Sequence, residues 1–444
     1  MTASSWDVRP RAKRSGPIIA PTYHLNEASW FTPATPFYLI TALPLWWLLG
    51  LGYFTFVIAA VPMFFVLATT PNIRIPKVFF WYLMYAGWVV VSLAMPERGL
   101  DRYLSWTVRS LIPLAGVILF LYIYNVPSRY LSTKQILTTL GFFFIFTAIV
   151  GGYLGLIFGE VRLPTPAWLA IPGSIKRPFV QDIFAPRLAQ TQDFLGFPLN
   201  RPAMPTSFSN DWAATLVPGT FLAIAARQYL QKRSVGIVIA ALAVVPMVVS
   251  VNRGLWIGLG LGVAYVVARR LSEGRFKLAL QLFFAVVLVV TVVAVSPLGD
   301  IVSARAQAEG TTTARSELYS DVIAAVPESP IVGFGAPRAN DNPLRPAVGT
   351  HGMFWSVLFS QGIPGLIFFV GFLGHLSLTT GRKIRNEKEL WLHLAVLTAL
   401  PTMMFYDHLP FALPMTLIAG AVFMRDRREA DLSEAGRSAQ AWVS

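Results

Sequence analysis

Residues 268–297 read ARRLSEGRFKLALQLFFAVVLVVTVVAVSP, and two features of this stretch decide the fold. From Leu278 to Pro297 no residue is charged. At 1.5 Å per residue that run reaches ~30 Å, the thickness of a bilayer's hydrocarbon core. Just before it stand Arg269, Arg270, Arg275 and Lys277 against the single acid Glu273, so one mouth of the span is strongly basic. Similar apolar stretches lie near 36–51, 53–70, 78–95, 105–126, 136–159, 211–226, 234–250, 254–268, 352–380, 389–406 and 408–424. The pattern predicts an all-α integral membrane protein of about twelve transmembrane helices.

The charges agree with such a weave. With the N-terminus on the cytoplasmic side, the alternate connections hold 23 of the 36 Lys and Arg but only 9 of the 22 acids. The whole net charge of +14 then falls on that side, and the opposite side balances at zero. This is the positive-inside bias, and it predicts a multi-pass plasma (inner) membrane protein with both termini cytoplasmic. It also removes nucleic acid as the reading of a basic chain: the cations set topology and face the lipid headgroups. The division expected is a tail at 1–33, a membrane domain at 34–425 and a second tail at 426–444. No cleavable signal is expected, because the first apolar run is a full span without a small-residue cleavage site.

The composition, 55% apolar and 13% charged, excludes a soluble chain with an anchor. Without Cys there is no disulfide, thioether haem or thiolate metal site, and the five His have no metal-ligand spacing. Neither a phosphate-binding loop nor a dinucleotide fingerprint is present, so no cofactor and no metal are expected. Two connections are long, 160–210 and 298–350, both on the non-cytoplasmic side of this topology. The first is rich in Pro and aromatics and carries Arg162, Lys176, Arg177, Arg187 and Arg201. Its runs Trp168–Ile171 and Phe194–Phe197 are too short to span and are expected to lie in the interface or to dip back into it under cover of protein. In the second, Leu318, Val322 and Val326 recur at i, i+4, i+8, predicting an amphipathic helix over 314–326 that Pro327 stops. The flanks, 307–313 and 338–350, read as flexible loop.

Three segments at the outer membrane boundary carry candidate chemistry, because ionisable groups there are costly and usually functional. Arg253 opens a helix whose Gly254, Gly258, Gly260 and Gly262 permit a close helix neighbour; the plain alternative is an Arg snorkelling to the interface. Arg315 opens the amphipathic helix, where it either serves a site, pairs with Glu317 or is simply solvated. Tyr319 follows it, and then the turn Pro330-Ile-Val-Gly333-Phe-Gly335. His351 heads the run that leads into the break Gly362-Ile-Pro-Gly365; alone it would be an interfacial His, but the long loop can fold over it.

Taken in order, these segments resemble the O-antigen ligase and Wzy-type O-antigen polymerase superfamily. The motifs that carry the resemblance are Asn252-Arg253-Gly254-Leu255-Trp256, Arg315-Ser-Glu-Leu-Tyr319, Pro330 to Gly335, and His351 followed by Gly362-Ile-Pro-Gly365-Leu366. Upstream, Asn210-Asp-Trp-Ala213 resembles the family's start of a span after the first external loop. The resemblance covers about residues 205–370; one departure is Gly352, where the family commonly places Asn or another polar residue after the His. It implies a GT-C-like glycosyltransferase that moves a glycan from an undecaprenyl-diphosphate carrier to an acceptor hydroxyl on the external (periplasmic) face. The acceptor would be a glycan, lipid or protein, and a flippase or chain-length regulator would be a fitting partner.

The residues suit that chemistry. A diphosphate leaving group gathers negative charge, which Arg253 and Arg315 can hold in forked geometry without metal. The attacking hydroxyl must lose a proton, and His351, with an ordinary pKa near ~6.5, is the expected base. Attack opposite the diphosphate inverts the anomeric centre. Asn210, Arg187, Arg201, Tyr319, Gly333 and Gly335 are the expected substrate-binding positions, with Asp407 and His408 in the last external turn able to orient base or acceptor. For Arg187 and Arg201 a solvated loop face is the plain alternative, and for the last two a polar turn. Polymerase and ligase differ only in acceptor; nothing here marks a lipid core or a protein, and polymerisation is the preferred reading. The rival from another class is a secondary transporter of a small anion or solute. It would want paired intramembrane carboxylates or a broken helix in both halves, and the break at Gly362–Gly365 has no counterpart upstream.

Overall fold

A computed structural model describes residues 32–95, 99–193, 197–296, 299–300, 302–303, 310–340 and 346–441. The side chains of 310–314 and 436–441 lie outside that description, as do most of the N-terminal tail and the run Phe194–Gly196. The chain is mostly helical, as its apolar periodicity predicts. Among the described residues, seven segments are long and apolar enough to cross a membrane: Gly52–Thr69, Lys77–Ala94, Leu100–Asn125, Thr133–Phe158, Arg253–Ser272, Phe276–Val295 and Met353–Gly381. The other expected stretches are also helical, several of them shorter or interrupted. Thr35–Thr41 and Leu43–Leu49 are separated at Ala42, Arg233–Val249 has 17 residues, and Glu387–Leu397 is followed by the single turn Ala399–Thr402. The last helix, Ala412–Ala441, continues through most of the expected C-terminal tail.

Burial separates core helices from the lipid-facing one. Ser209–Ala226 carries Trp212, Leu216, Val217, Phe221 and Leu222 into the centre, and every residue from His408 to Phe423 is buried. In the opening stretch, by contrast, Ala279 is the only buried residue of Phe276–Val295, and Phe283, Phe284, Leu288 and Val290 are exposed. So large an apolar face is stable only against lipid. With the seven apolar helices, this face marks a membrane protein.

The long connections are more ordered than the sequence suggests. The first holds the short helices Pro166–Ala170 and Pro178–Phe184 and an antiparallel hairpin pairing Ala189–Gln192 with Leu199–Pro202, an exception to the all-α expectation. The second holds Gly310–Ala325, a helix that begins four residues before the expected 314 and ends ahead of Pro327. Its Leu318 and Val322 are buried as the periodicity requires, and Val322 and Ala325 pack with Val348 and Phe359. Nor is 338–350 open loop throughout, since Arg338 and Val348 form an antiparallel bridge.

Candidate active site

The site is built around the turn that joins Ala399–Thr402 to the last helix. Met353 N–H donates to Tyr406 O at 2.7 Å and Phe354 N–H to Met403 O at 3.0 Å, so this turn takes up donors that the helix Met353–Gly381 leaves unpaired at its start. Tyr319 donates from its hydroxyl to Met404 O at 3.1 Å and stacks on Trp355, ring centroids 4.5 Å apart. The loop helix that carries Arg315 is thereby docked beside His351. Between them sits Gly352, at φ +82°; a Cβ there would lie 2.7 Å from Met404 O. The departure from the family pattern thus has a steric reason: this backbone admits no side chain.

Hydrogen bonding assigns the His351 tautomer. Thr350 Oγ1 spends its proton on Ala347 O at 2.6 Å and lies 3.0 Å from His351 Nδ1. The hydroxyl can therefore only accept at that contact, so Nδ1 carries the hydrogen and Nε2 keeps the lone pair. Burial, and next the nearby Arg315 cation, lower the His351 pKa to about 4, while Asp407 pulls the other way. The ordinary value expected from sequence does not hold here. The imidazole is neutral across the physiological range, as a base must be before it acts.

On the opposite side, Arg253 opens the helix Arg253–Ser272 directly before Gly254, whose added Cβ would meet the Tyr406 ring at 2.7 Å. Gly258 abuts Thr402 and Val217, and Gly262 abuts Phe221, so three of the four glycines serve close packing. Gly260 faces open space, because a spacing of two residues turns it to the other side. Tyr406 is within electrostatic reach of both Arg201 and Arg315, so the basic groups of two distant segments converge on its turn.

Gly333 and Gly335 have a structural task that the sequence does not announce. The helix Met353–Gly381 breaks at Gly362, φ 66° and ψ −170°. The carbonyls it orphans are taken by the glycine turn: Phe334 N–H donates to Phe359 O at 2.9 Å and Gly335 N–H to Ser360 O at 2.8 Å. In return Ile363 N–H donates to Pro330 O at 2.8 Å, and Trp88 Nε1 bridges Gln361 O and Ile331 O. Two motifs far apart in sequence are one unit, a broken helix whose backbone is satisfied by protein rather than lipid. A Cβ on Gly333 would lie 2.6 Å from Phe359 O, so the turn has no room for larger residues. Arg102 pins it from outside, donating to Phe334 O, Ala336 O and Pro337 O.

The remaining candidates separate. Arg187 is held by Glu160 at 2.6 Å and by Asp182, and Arg162 also pairs with Asp182. Arg201 is 4% exposed and donates to Ser250 O, Gln192 Oε1 and Asn252 Oδ1, reaching Asn210 Oδ1 at 3.5 Å. With Asn252 donating to Ser209 O, it ties the start of Ser209–Ala226 to the residue before Arg253. Asp407 is bound to Arg109, which also donates to Ser356 Oγ at 2.8 Å. His408 is buried, its Nε2 3.1 Å from Thr402 Oγ1, and faces the core. Sequence reasoning passed over Arg102, Arg109, Tyr406 and Thr350. For Arg109 the signal was present, a lone cation within an expected span; the others needed the fold. Among the described residues no three His, Asp or Glu come together as a metal site.

No curated protein matches the chain. A family model does: residues 213–370 match Wzy_C, described as O-Antigen ligase, a span that contains Arg253, Arg315, Tyr319, the glycine turn and His351. This match, over the segment in which the motifs fall, supports the chain's place in the O-antigen ligase/polymerase family, with a membrane role in glycan ligation or polymerisation.

Proposed function

We propose that the protein transfers a glycan from undecaprenyl diphosphate to an acceptor hydroxyl at the external face of the plasma membrane, in surface-polysaccharide polymerisation or ligation. The observation that carries the reading is the placement of Arg315 beside a neutral His351 whose Nε2 lone pair is left for chemistry. About twelve spans, both termini cytoplasmic, put this end of the bundle outside.

Arg315 and Arg253 bind the diphosphate oxygens and stabilise the charge that grows on them as the glycosidic bond breaks. His351 Nε2 takes the proton of the acceptor hydroxyl as that oxygen attacks C1 from the opposite face, which inverts the anomeric centre. The lowered pKa fits this sequence. The bound diphosphate offsets the Arg315 cation, so His351 becomes a better proton acceptor once the donor is seated. Its Nδ1–H stays on Thr350 throughout, which fixes the ring. A transporter reading gains little: the helix break is filled by the glycine turn and opens no passage of its own.

The test is purified protein in nanodiscs with a lipid-linked glycan and acceptor, scored for glycan product, with and without a chelator. Product that forms equally with the chelator supports the reading; no product from any lipid-linked donor overturns it. Reporter fusions after Gln231 and Asn386 should read cytoplasmic and those after Pro186 and Pro343 external; a cytoplasmic reading at Pro343 would remove the site from the outer face.

A further inference from the structure

At the far end of the helix that begins beside His351 lies a second basic site. Met353–Gly381 has 29 residues, about 40 Å at 1.5 Å per residue, and Lys383 stands two residues past its end. There a cleft of about 360 Å3 is lined by the polar Lys383, Arg427, Arg428 and Asp431 and by Tyr124, Phe423, Met424 and Leu432. That volume falls within the ~300–1,000 Å3 usual for small-ligand sites.

Its charges are unevenly satisfied. Arg427 is held by Glu389 at 3.6 Å and by Lys383 O at 2.7 Å, and Asp431 is paired with Arg385 at 3.5 Å. The Arg428 guanidinium carbon lies over the Tyr124 ring, 4.5 Å from its centroid, and its Nε and Nη1 are buried with no hydrogen-bond partner among the described residues. Neither Arg428 nor Lys383 has a carboxylate within ion-pair distance among the described residues. A guanidinium withdrawn from water without acceptors is costly, and cations do not stay so unless something supplies the missing oxygens. The cleft lies at the ends of Leu100–Asn125 and Met353–Gly381, both long enough to span, which is the depth of lipid headgroups. Phe423, Met424 and Leu432 give its lining an apolar part, as an acyl chain requires.

We propose that this cleft binds the phosphate of an anionic lipid: Arg428 and Lys383 hold the phosphate oxygens, and the first part of an acyl chain lies on Phe423, Met424 and Leu432. The proposal is independent of the transfer chemistry at the other end. Full-length protein in mild detergent, examined by native mass spectrometry with added phosphatidylglycerol or phosphatidylcholine, tests it. Wild-type protein should retain phosphatidylglycerol in preference to phosphatidylcholine. The pair Arg428→Gln with Lys383→Gln should weaken that retention roughly tenfold or more, the loss of one or two charge-assisted contacts. Lys277→Gln, an exposed cation outside the cleft, should leave it unchanged. Should the double variant fail to fold, Lys383→Gln alone changes only an exposed side chain and should still weaken retention. Unchanged retention in that variant, equal retention of the two lipids, or displacement by millimolar inorganic phosphate would each overturn the lipid assignment, the last by naming a free anion instead.

Discussion

The two long connections carry the same kind of side chain and put it to opposite use. In the first, Arg162 and Arg187 share Asp182, Arg187 also holds Glu160, and Arg201 is spent on two carbonyl or amide oxygens of the 250–252 turn and on Gln192. These arginines fasten the loop to itself and to the helix that Arg253 opens. In the second, Arg315 has no carboxylate paired with it among the described residues and stands instead beside His351, whose pKa it helps to lower. A cation already surrounded by acceptors has little left to offer a diphosphate, whereas one that raises the local potential over a neutral imidazole has its attraction in reserve. The difference teaches that arginine content says where anions can be drawn and only pairing says where they can bind.

The comparison breaks first at His351. If its Nε2 is the base, His351→Gln should express and fold normally, still bind the lipid-linked donor, and lose ~10²–10⁴ in turnover. Wild-type turnover of this variant in the nanodisc assay would return His351 to an interfacial role.

A smaller effect separates the two loops directly. Arg315→Ala should cost ~30–1000-fold in turnover, with Arg315→Lys intermediate because it keeps charge and loses the fork. Arg187→Gln should leave turnover nearly unchanged, since its guanidinium is already committed to Glu160 and Asp182. Equal losses at the two positions would abolish the distinction.

The smallest effect is in pH. The His351 pKa is lowered to about 4, so the neutral form persists as pH falls and is lost only near that value. Between pH 7.5 and 5.5 the base should contribute almost no change in kcat/KM, whereas an ordinary His near ~6.5 would cost roughly tenfold at 5.5. A tenfold fall over that range would show that His351 is not shielded as the geometry requires.

What could be read in advance followed physical rules that act locally. Apolar run length marked the spans because a helix must cover the hydrocarbon, and Leu318 and Val322 were found by helical period. Gly362 was recognisable as a break because Gly-x-Pro-Gly interrupts any helix. The motifs holding Arg253, Arg315 and His351 were legible because each stands where charge is expensive. Partnership was not legible. That Gly333 and Gly335 close the Gly362 break depends on two backbones meeting across some thirty residues of chain. That Asp407 is claimed by Arg109 depends on a contact across nearly three hundred. The hairpin Ala189–Gln192 with Leu199–Pro202 escaped notice because its short strands lack clear alternation and are fixed by packing of Pro202 on Gly155 and Asn200 on Gly159.

The sequence by itself determined that this chain is helical, lies in a membrane and carries two arginines and a histidine in family order, because hydropathy and charge act through the solvent and need no neighbour. It took the folded chain to show that Arg315 has no carboxylate partner among the described residues, that Nδ1 of His351 carries its hydrogen and that Gly352 has no room for a side chain. Those depend on distances of about 3 Å between residues far apart in the chain, where hydrogen bonds and steric contact act.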